Sequence, residues 1–157
     1  MPLFNLRDLR ARLPPGQRLI GLDPGRKTVG VALSDASLLL ATPAPPLPRG
    51  RLAEIAAALA RLAEREGAGG LVVGLPLSLD GSFGPAAQAA KDWAAAVSDA
   101  SGLPAALWDE RLSSAAVNRM LVAEADLTRK KRARAVDSAA AAWMLQAALD
   151  ATRPAAP

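Results

Sequence analysis

The chain contains no cysteine, no histidine and no tyrosine among its 157 residues. The lack of cysteine excludes disulfides, thiolate nucleophiles and cysteine-based zinc sites. The lack of histidine removes the usual general base and the commonest transition-metal ligand. The lack of tyrosine excludes a phosphotyrosyl intermediate of the kind that some DNA-breaking enzymes form. Any catalysis must therefore use carboxylates, hydroxyls, lysine, arginine or a metal ion held by oxygen ligands.

Long apolar runs are also absent. No segment approaches the ~20 consecutive apolar residues that a membrane span requires, and residues 1–16 lack the features of a signal peptide. We therefore expect a cytoplasmic protein without a membrane partner. The length predicts one domain with a real core. We place that domain at residues 17–151, between an N-terminal extension, residues 1–16, and a flexible tail, residues 152–157.

The chain is basic, with a formal net charge of +4 and a sequence pI of about 10.3. This balance alone does not establish a polyanionic partner, because fifteen of the nineteen basic residues are arginine and a biased coding composition gives the same charge. The charge is concentrated in TRKKRARA, residues 128–135, only a few residues before Asp137. A charge run is most often a solvated helix face, but its position next to Asp137 favours contact with a phosphate backbone. The four consecutive cations are Arg129, Lys130, Lys131 and Arg132.

Hydrophobic periodicity predicts the element order β-β-β-α-β-α-β-α-α. The first two strands form a hairpin around PGRKT, and the proline-rich stretch at 43–50 is not expected to be regular structure. An antiparallel meander followed by alternating helices and strands implies an α/β fold, with a mixed sheet covered by helices on both faces. The predicted strands are 19–22, 29–33, 38–41, 70–76 and 105–109, and the predicted helices are 51–66, 85–100, 115–125 and 129–151.

Carboxylates stand at two of the predicted strand ends. Asp23 closes the first strand, and Asp109 and Glu110 follow the strand AALW. In α/β sheets, functional groups collect beyond the carboxyl ends of the strands. Each position also has a plain structural interpretation. Asp23 belongs to an Asp-Pro-Gly turn, and Asp109 and Glu110 form a charge cluster with Arg111 before a helix.

Asp137 lies inside the last predicted helix, on an apolar stripe that is expected to pack against the sheet. Gln146 and Asp150 are expected on the opposite side of that helix. A buried carboxylate is costly unless it is paired, hydrogen-bonded or metal-bound, so Asp137 is either an ion pair with Arg134 or Lys130 or a metal ligand. The stripe continues through Ala140, Ala141, Met144 and Ala148. Two strand-end acids and one on a helix form the constellation that oxygen-coordinated Mg²⁺ or Mn²⁺ requires.

Four blocks of the sequence resemble a known family. They are GLDPGRKTVGVALSD, LVVGLPLSLDGS, DERLSS and VDSAAAAWML, in order and with ordinary spacing. They are similar to the YqgF family, also called RuvX or Holliday junction resolvase-like, whose members are named as nucleases of pre-16S ribosomal RNA. The resemblance covers about residues 18–150. It implies a ribonuclease H-like fold with five strands, and a hydrolase that acts on phosphodiester bonds.

The resemblance also assigns residues by position. Asp23, one of Asp109 and Glu110, and Asp137 correspond to the acids that hold divalent metal, Mg²⁺ or Mn²⁺. Metal-activated water then attacks the phosphodiester, and no protein nucleophile is needed. Many ribonuclease H-like nucleases carry four acids, whereas only three positions are clear in this sequence, and which of Asp109 and Glu110 faces the metals stays open.

The leading hypothesis is cleavage of structured RNA, at the 5′ end of 16S ribosomal RNA during ribosome biogenesis. One rival keeps the fold and cuts branched DNA, as junction resolvases do. A second is a noncatalytic nucleic-acid-binding assembly factor. A third, an actin-like ATPase, needs two such domains, for which 157 residues leave no room. The oligomeric state stays open between a monomer and a weak dimer.

The cations near the acids are further candidates for contact with nucleic acid. Arg111 either binds phosphate or forms a structural salt bridge. If the run that begins at Arg129 is only a solvated face, the binding surface is expected around Arg26, Lys27 and Arg111.

Overall fold

A computed structural model of the chain describes residues 3–75, 84–109 and 129–154, and for residues 129–138 it describes the backbone alone. Within these ranges no helix is long and apolar enough to cross a membrane. The elements are α1 Leu6–Arg12, β1 Arg18–Pro24, β2 Thr28–Ser34, β3 Ala41–Pro48, α2 Leu52–Glu66, β4 Ala68–Leu75, α3 Pro85–Ser101, β5 Ala105–Asp109 and α4 Arg129–Ala151.

The strands form one five-stranded sheet in the spatial order β3-β2-β1-β4-β5. Strand β2 pairs antiparallel with both β1 and β3, whereas β1, β4 and β5 are parallel. The predicted α/β fold is therefore confirmed, as is the hairpin, in which the N–H of Gly25 donates to the carbonyl of Thr28 at 2.8 Å. The parallel strands end at one edge of the sheet, which we call the carboxyl edge.

The central strand β1 sends alternate residues to two helical layers. Ile20 and Leu22 pack with residues of α2 and α3, so we call that side the α3 face. Leu19 lies in the other cluster, with residues of α1 and α4, and we call that side the α4 face. Gly21 also belongs to the α4 face, because a Cβ built there lies 2.9 Å from the Cβ of Leu145. The missing side chain at Gly21 lets α4 lie close on the sheet.

The proline-rich stretch is regular structure, contrary to our expectation, and the third strand is Ala41–Pro48 rather than 38–41. This strand lies at the edge of the sheet, where a missing N–H need not break the pairing with β2. Its register shifts between Val29 and Val31 of β2, so that Pro45 and Pro46 fall opposite a single residue. A bulge of this kind is the other position in a sheet that accepts proline.

The predicted helices on the α3 face are confirmed. Helix α2 ends at Gly67, whose φ of 69° is the left-handed conformation expected of a glycine C-cap. Helix α3 begins at Pro85, where the fixed φ of proline suits the first helical position. The helix predicted at 115–125 and the capping residue Thr128 lie outside the described residues.

The described part of the N-terminal segment packs onto the α4 face. Leu6 and Leu9 of α1 are buried there, and the N–H of Phe4 donates to the carbonyl of Ala105 at 2.8 Å. Arg7 and Arg10 donate to the carbonyls of Ala151 and Leu149 at the end of α4, at 2.8 and 3.0 Å. Helix α1 therefore completes the core, although its separation from the domain at residue 16 stays a prediction.

We expect Leu9→Ala to lower the free energy of unfolding by about 2–5 kcal/mol, because it empties a site with 0% exposure. The measurement is urea denaturation followed by circular dichroism. Leu40→Ala is the matched control, since Leu40 is 62% exposed and should change stability by no more than about 0.5 kcal/mol. Equal losses in the two variants would show that α1 does not belong to the core.

Candidate active site at the carboxyl edge of the sheet

The structure places two of the predicted acids at the carboxyl edge. Asp23 is the penultimate residue of β1, and Asp109 is the last residue of β5. Strand β4 lies between β1 and β5, so the two backbones are about 10 Å apart, at roughly 4.8 Å per strand. The two acids therefore share an edge without being neighbours.

Asp23 has a glycine beside it on each of the two neighbouring strands. Its partner across the hairpin is Gly30. The β1–β4 register pairs Leu22 with Val73, and one step further along both strands sets Asp23 beside Gly74. Both neighbours lack a Cβ, so neither strand places a side chain directly beside the Asp23 carboxylate. This arrangement suits the approach of a metal ion or a phosphate group.

The row of cross-strand partners that contains Asp23 ends at Trp108, which pairs with Gly74. Trp108 belongs with the α4 face, and its indole Nε1 is buried without an acceptor among the residues described. A buried N–H left without a partner costs about 1–3 kcal/mol. This donor lies on the side of the sheet that carries Asp23, where carboxylates that bind metal would need hydrogen bonds from their surroundings.

Asp109 belongs to the opposite side of the sheet. Along β5, Ala106 and Trp108 lie on the α4 face, while Ala105 and Leu107 lie on the α3 face. The alternation of a strand places Asp109 with the second pair. Asp23 and Asp109 therefore face different helical layers. Glu110, the other acid of the predicted pair, lies outside the described residues.

Asp137 is in α4, one turn before Ala141 and two turns before Met144 and Leu145. These three residues are buried against the sheet, as the predicted stripe requires, whereas the side chain of Asp137 is outside the description. Helix α4 crosses β1 at Gly21, one alternate position before Asp23. The helix that carries the third acid thus packs on the face that carries the first.

One detail of the α4 prediction is wrong. Gln146 does not point away from the sheet: its side chain accepts from the N–H of Ala41 at 2.9 Å and donates to the carbonyl of Leu39 at 2.9 Å. The amide thereby bonds backbone groups at the start of the edge strand β3. Asp150 is exposed, as expected.

Some of the cations that we predict to contact nucleic acid are in the described residues, and others are not. Arg26 and Lys27 are exposed in the turn directly after Asp23, at the carboxyl edge. Arg111 lies outside the described residues. The backbone of the basic run forms the first turn of α4, and its side chains are not described: Arg129, Lys130, Lys131 and Arg132.

Sequence reasoning missed two residues at this edge, Arg49 and Trp93. The Arg49 guanidinium donates to the carbonyl of Gly25 at 2.6 Å and lies 5.8 Å from the centre of the Trp93 indole ring. Together with Arg26 and small residues they line a cavity of about 310 Å³ on the α3 face. The only signal in the sequence is a tryptophan in a chain that has just three of them.

The oxygen donors present suit a hard divalent cation. Asp23 supplies a half-buried carboxylate between two glycines, and carboxylates are what Mg²⁺ and Mn²⁺ prefer. The described residues do not by themselves contain a cluster of three or more potential metal ligands. A larger set would include acids whose side chains are not described, and of the predicted acids these are Glu110 and Asp137.

The sheet order and the helical layers define a class of fold. A solved structure of Thermus thermophilus RuvC in complex with a Holliday junction substrate superposes with a TM-score of 0.51 at 17% identity, covering 86% of this chain and 94% of that one. The chain therefore shares the fold of that RuvC, the ribonuclease H-like fold that the sequence predicts.

The chain belongs to the RuvX family, whose model, described as Holliday junction resolvase, matches residues 17–151. A relative from Gluconacetobacter diazotrophicus is 64% identical over 152 residues, covering 97% of this chain and 99% of its own length. Another, from Gluconobacter oxydans, is 62% identical over 157 residues, covering 100% of this chain and 98% of its own length. Both are named "Putative pre-16S rRNA nuclease". The predicted family is confirmed.

Proposed function

We propose that this protein is a metal-dependent nuclease that processes the 5′ end of the precursor of 16S ribosomal RNA. The observation that carries the proposal is Asp23, which stands at the carboxyl edge of a ribonuclease H-like sheet between two glycine positions. The names of relatives more than 60% identical to this chain supply the substrate. We place the reaction in the cytoplasm, where bacteria make precursor ribosomal RNA.

In this proposal, acidic residues bind the metal and basic residues bind the substrate. We propose that Asp23 and Asp137 hold Mg²⁺ or Mn²⁺, which would supply an activated water and neutralise charge on the scissile phosphate. Arg26 and Lys27 extend from the turn after Asp23 and would bind the phosphates on either side. With no cysteine, histidine or tyrosine in the chain, the reaction is left to carboxylates, hydroxyls, cations and metal, and we propose that the carboxylates and cations named here carry it out.

We propose Glu110, rather than Asp109, as the remaining acid. The support is the alternation of β5, which puts Asp109 on the α3 face while Asp23 and helix α4 are on the other. Glu110 is the adjacent carboxylate in the sequence, and it is chosen because Asp109 is on the wrong side to share a metal with Asp23.

The test compares Glu110→Gln with Asp109→Asn, two isosteric changes at neighbouring positions. We expect Glu110→Gln to lower the cleavage rate of a 5′-extended 16S precursor fragment at least about tenfold at limiting Mn²⁺. Asp109→Asn should retain most of the wild-type rate, and chelation should stop cleavage by all three proteins. The reverse order of the two variants would reassign the ligand to Asp109.

The same assay separates the rival functions. A four-way DNA junction serves as the second substrate, because the description of the family model favours it. Faster metal-dependent cutting of the junction than of the RNA would make this protein a resolvase. Tight binding of the RNA without any cleavage would make it a noncatalytic assembly factor. We propose that the run from Arg129 to Arg132 contributes sequence-independent binding to the backbone in every case.

A further inference from the structure

The residues that line the cavity next to Asp23 favour one class of ligand. Its volume of about 310 Å³ is at the lower end of the range for small-molecule sites. Pro24 and Gly25 form one wall, directly after Asp23 in the chain, and alanines of α3 form another. The polar and aromatic groups in the lining are Arg26, Arg49 and Trp93, with no carboxylate or amide side chain among the described residues.

The Arg49 guanidinium lies beside the Trp93 ring, and we call the pair the Arg49–Trp93 platform. Hydrogen bonds hold Arg49 in place. The backbone N–H of Arg49 donates to the carbonyl of Lys27 at 2.8 Å, and its guanidinium donates to the carbonyl of Gly25 at 2.6 Å. The distance of 5.8 Å from the guanidinium carbon to the indole centre is near the outer limit for a cation–π contact, about 6 Å. The contact is therefore a loose one.

The cavity carries two cations, Arg26 and Arg49. Neither Arg26 nor Arg49 forms an ion pair with a residue in the described ranges. A guanidinium has five N–H donors, and within the described residues the Arg49 side chain uses one of them, in its bond to the Gly25 carbonyl. Flat aromatic and guanidinium surfaces beside cations are what an unpaired nucleotide requires, since its base stacks and its phosphate accepts.

We propose that this cavity binds one unpaired nucleotide of the RNA strand beside the scissile phosphate, and this inference rests on the proposed nuclease function. The base stacks on the Arg49–Trp93 platform, and Arg26 contacts its phosphate. The strand reaches Asp23 by passing over the turn of Pro24 and Gly25. No acceptor side chain is present among the described residues that line the cavity, so we expect the subsite to select for single-stranded character.

The test uses the full chain carrying Asp23→Asn, without metal, so that binding is measured apart from cleavage. The probes are a short single-stranded oligoadenylate and an abasic oligomer of the same length. We expect Trp93→Ala to weaken oligoadenylate binding roughly 5- to 150-fold and to leave binding of the abasic oligomer unchanged. Trp143→Ala is the matched control, because Trp143 is 40% exposed on α4, and it should change neither affinity.

A second measurement does not depend on the alanine variant folding well. Oligoadenylate should quench the tryptophan emission of the parent protein, Trp143→Phe should keep that quenching, and Trp93→Phe should lose most of it. Equal oligoadenylate affinity with and without Trp93, an equal loss for the abasic probe, or quenching that survives Trp93→Phe would each overturn the subsite. Failure of the nuclease proposal would appear separately, as a wild-type protein that binds the oligomers and does not cut the precursor.

Discussion

Replacing Asp23 by Asn should reduce metal-dependent cleavage at least about a hundredfold. Loss of a group that merely supports a metal ligand typically costs 10–100-fold, and we propose that Asp23 is itself a ligand. Asn keeps the shape of the side chain and removes its charge, so the packing between Gly30 and Gly74 is preserved. The measurement is single-turnover cleavage of a 5′-extended 16S precursor fragment in Mg²⁺ and in Mn²⁺.

The same substitution should leave the thermal transition unchanged or raise it. Clustered carboxylates repel one another when no metal is bound, and removing one charge relieves that repulsion. Asp8→Asn is the control, because Asp8 is exposed on α1, and it should change neither activity nor stability. Undiminished cleavage by pure Asp23→Asn protein would contradict the assignment of Asp23 to the metal site.

Gly21→Ala should destabilise the protein by about 1–3 kcal/mol. Elsewhere in a strand the change from Gly to Ala stabilises, by roughly 0.5–1 kcal/mol, so the sign itself is diagnostic. At Gly21 the new Cβ meets the Cβ of Leu145 at 2.9 Å, and that atom moves only if the helix moves. Because α4 carries Asp137, the shift should also lower cleavage by folded protein.

Two further variants test this explanation of Gly21. Gly70→Ala is the matched control, because its Cβ would meet only the ends of the flexible Leu19 and Leu9 side chains, at 3.1 and 3.3 Å. Leu145→Ala removes all but the Cβ of Leu145 and should recover little of the Gly21→Ala loss, since the Cβ contact remains. The double variant combines Gly21→Ala with Leu145→Ala, and its stability is measured by urea denaturation. Full recovery of stability would mean that the outer atoms of the Leu145 side chain, rather than the position of the helix, cause the loss in Gly21→Ala.

Much of this fold follows from patterns that depend on neighbours in the sequence. The helix at Leu52–Glu66 is set by its apolar spacing and by Gly67, and the hairpin is set by the turn after Asp23. The edge strand Ala41–Pro48 could not be predicted in this way. Its prolines are tolerated only because the strand has one partner and a bulge, and the sequence does not state which strand lies at an edge.

The same distinction applies to the candidate site: features set by nearby residues in the sequence could be predicted, and features set by packing could not. That Asp23 ends a strand is a local fact, and it was predicted. Alternate residues of a strand face opposite helical layers, and the sequence does not show which residues face which layer. The sequence alone therefore did not decide whether Asp109 or Glu110 faces the metals. Arg49 and Trp93 are 44 positions apart in the sequence, and only the three-dimensional fold brings the residue after β3 close to a residue of α3.

The most direct test of the central claim is a crystal structure of the protein grown with Mn²⁺, with anomalous diffraction used to locate the metal. We expect an anomalous peak at the Asp23 carboxylate, with oxygens of Asp137 and Glu110 completing its protein ligands, and no peak in crystals of Asp23→Asn. Full Mn²⁺ occupancy at another place, with the Asp23 carboxylate free of metal, would contradict it.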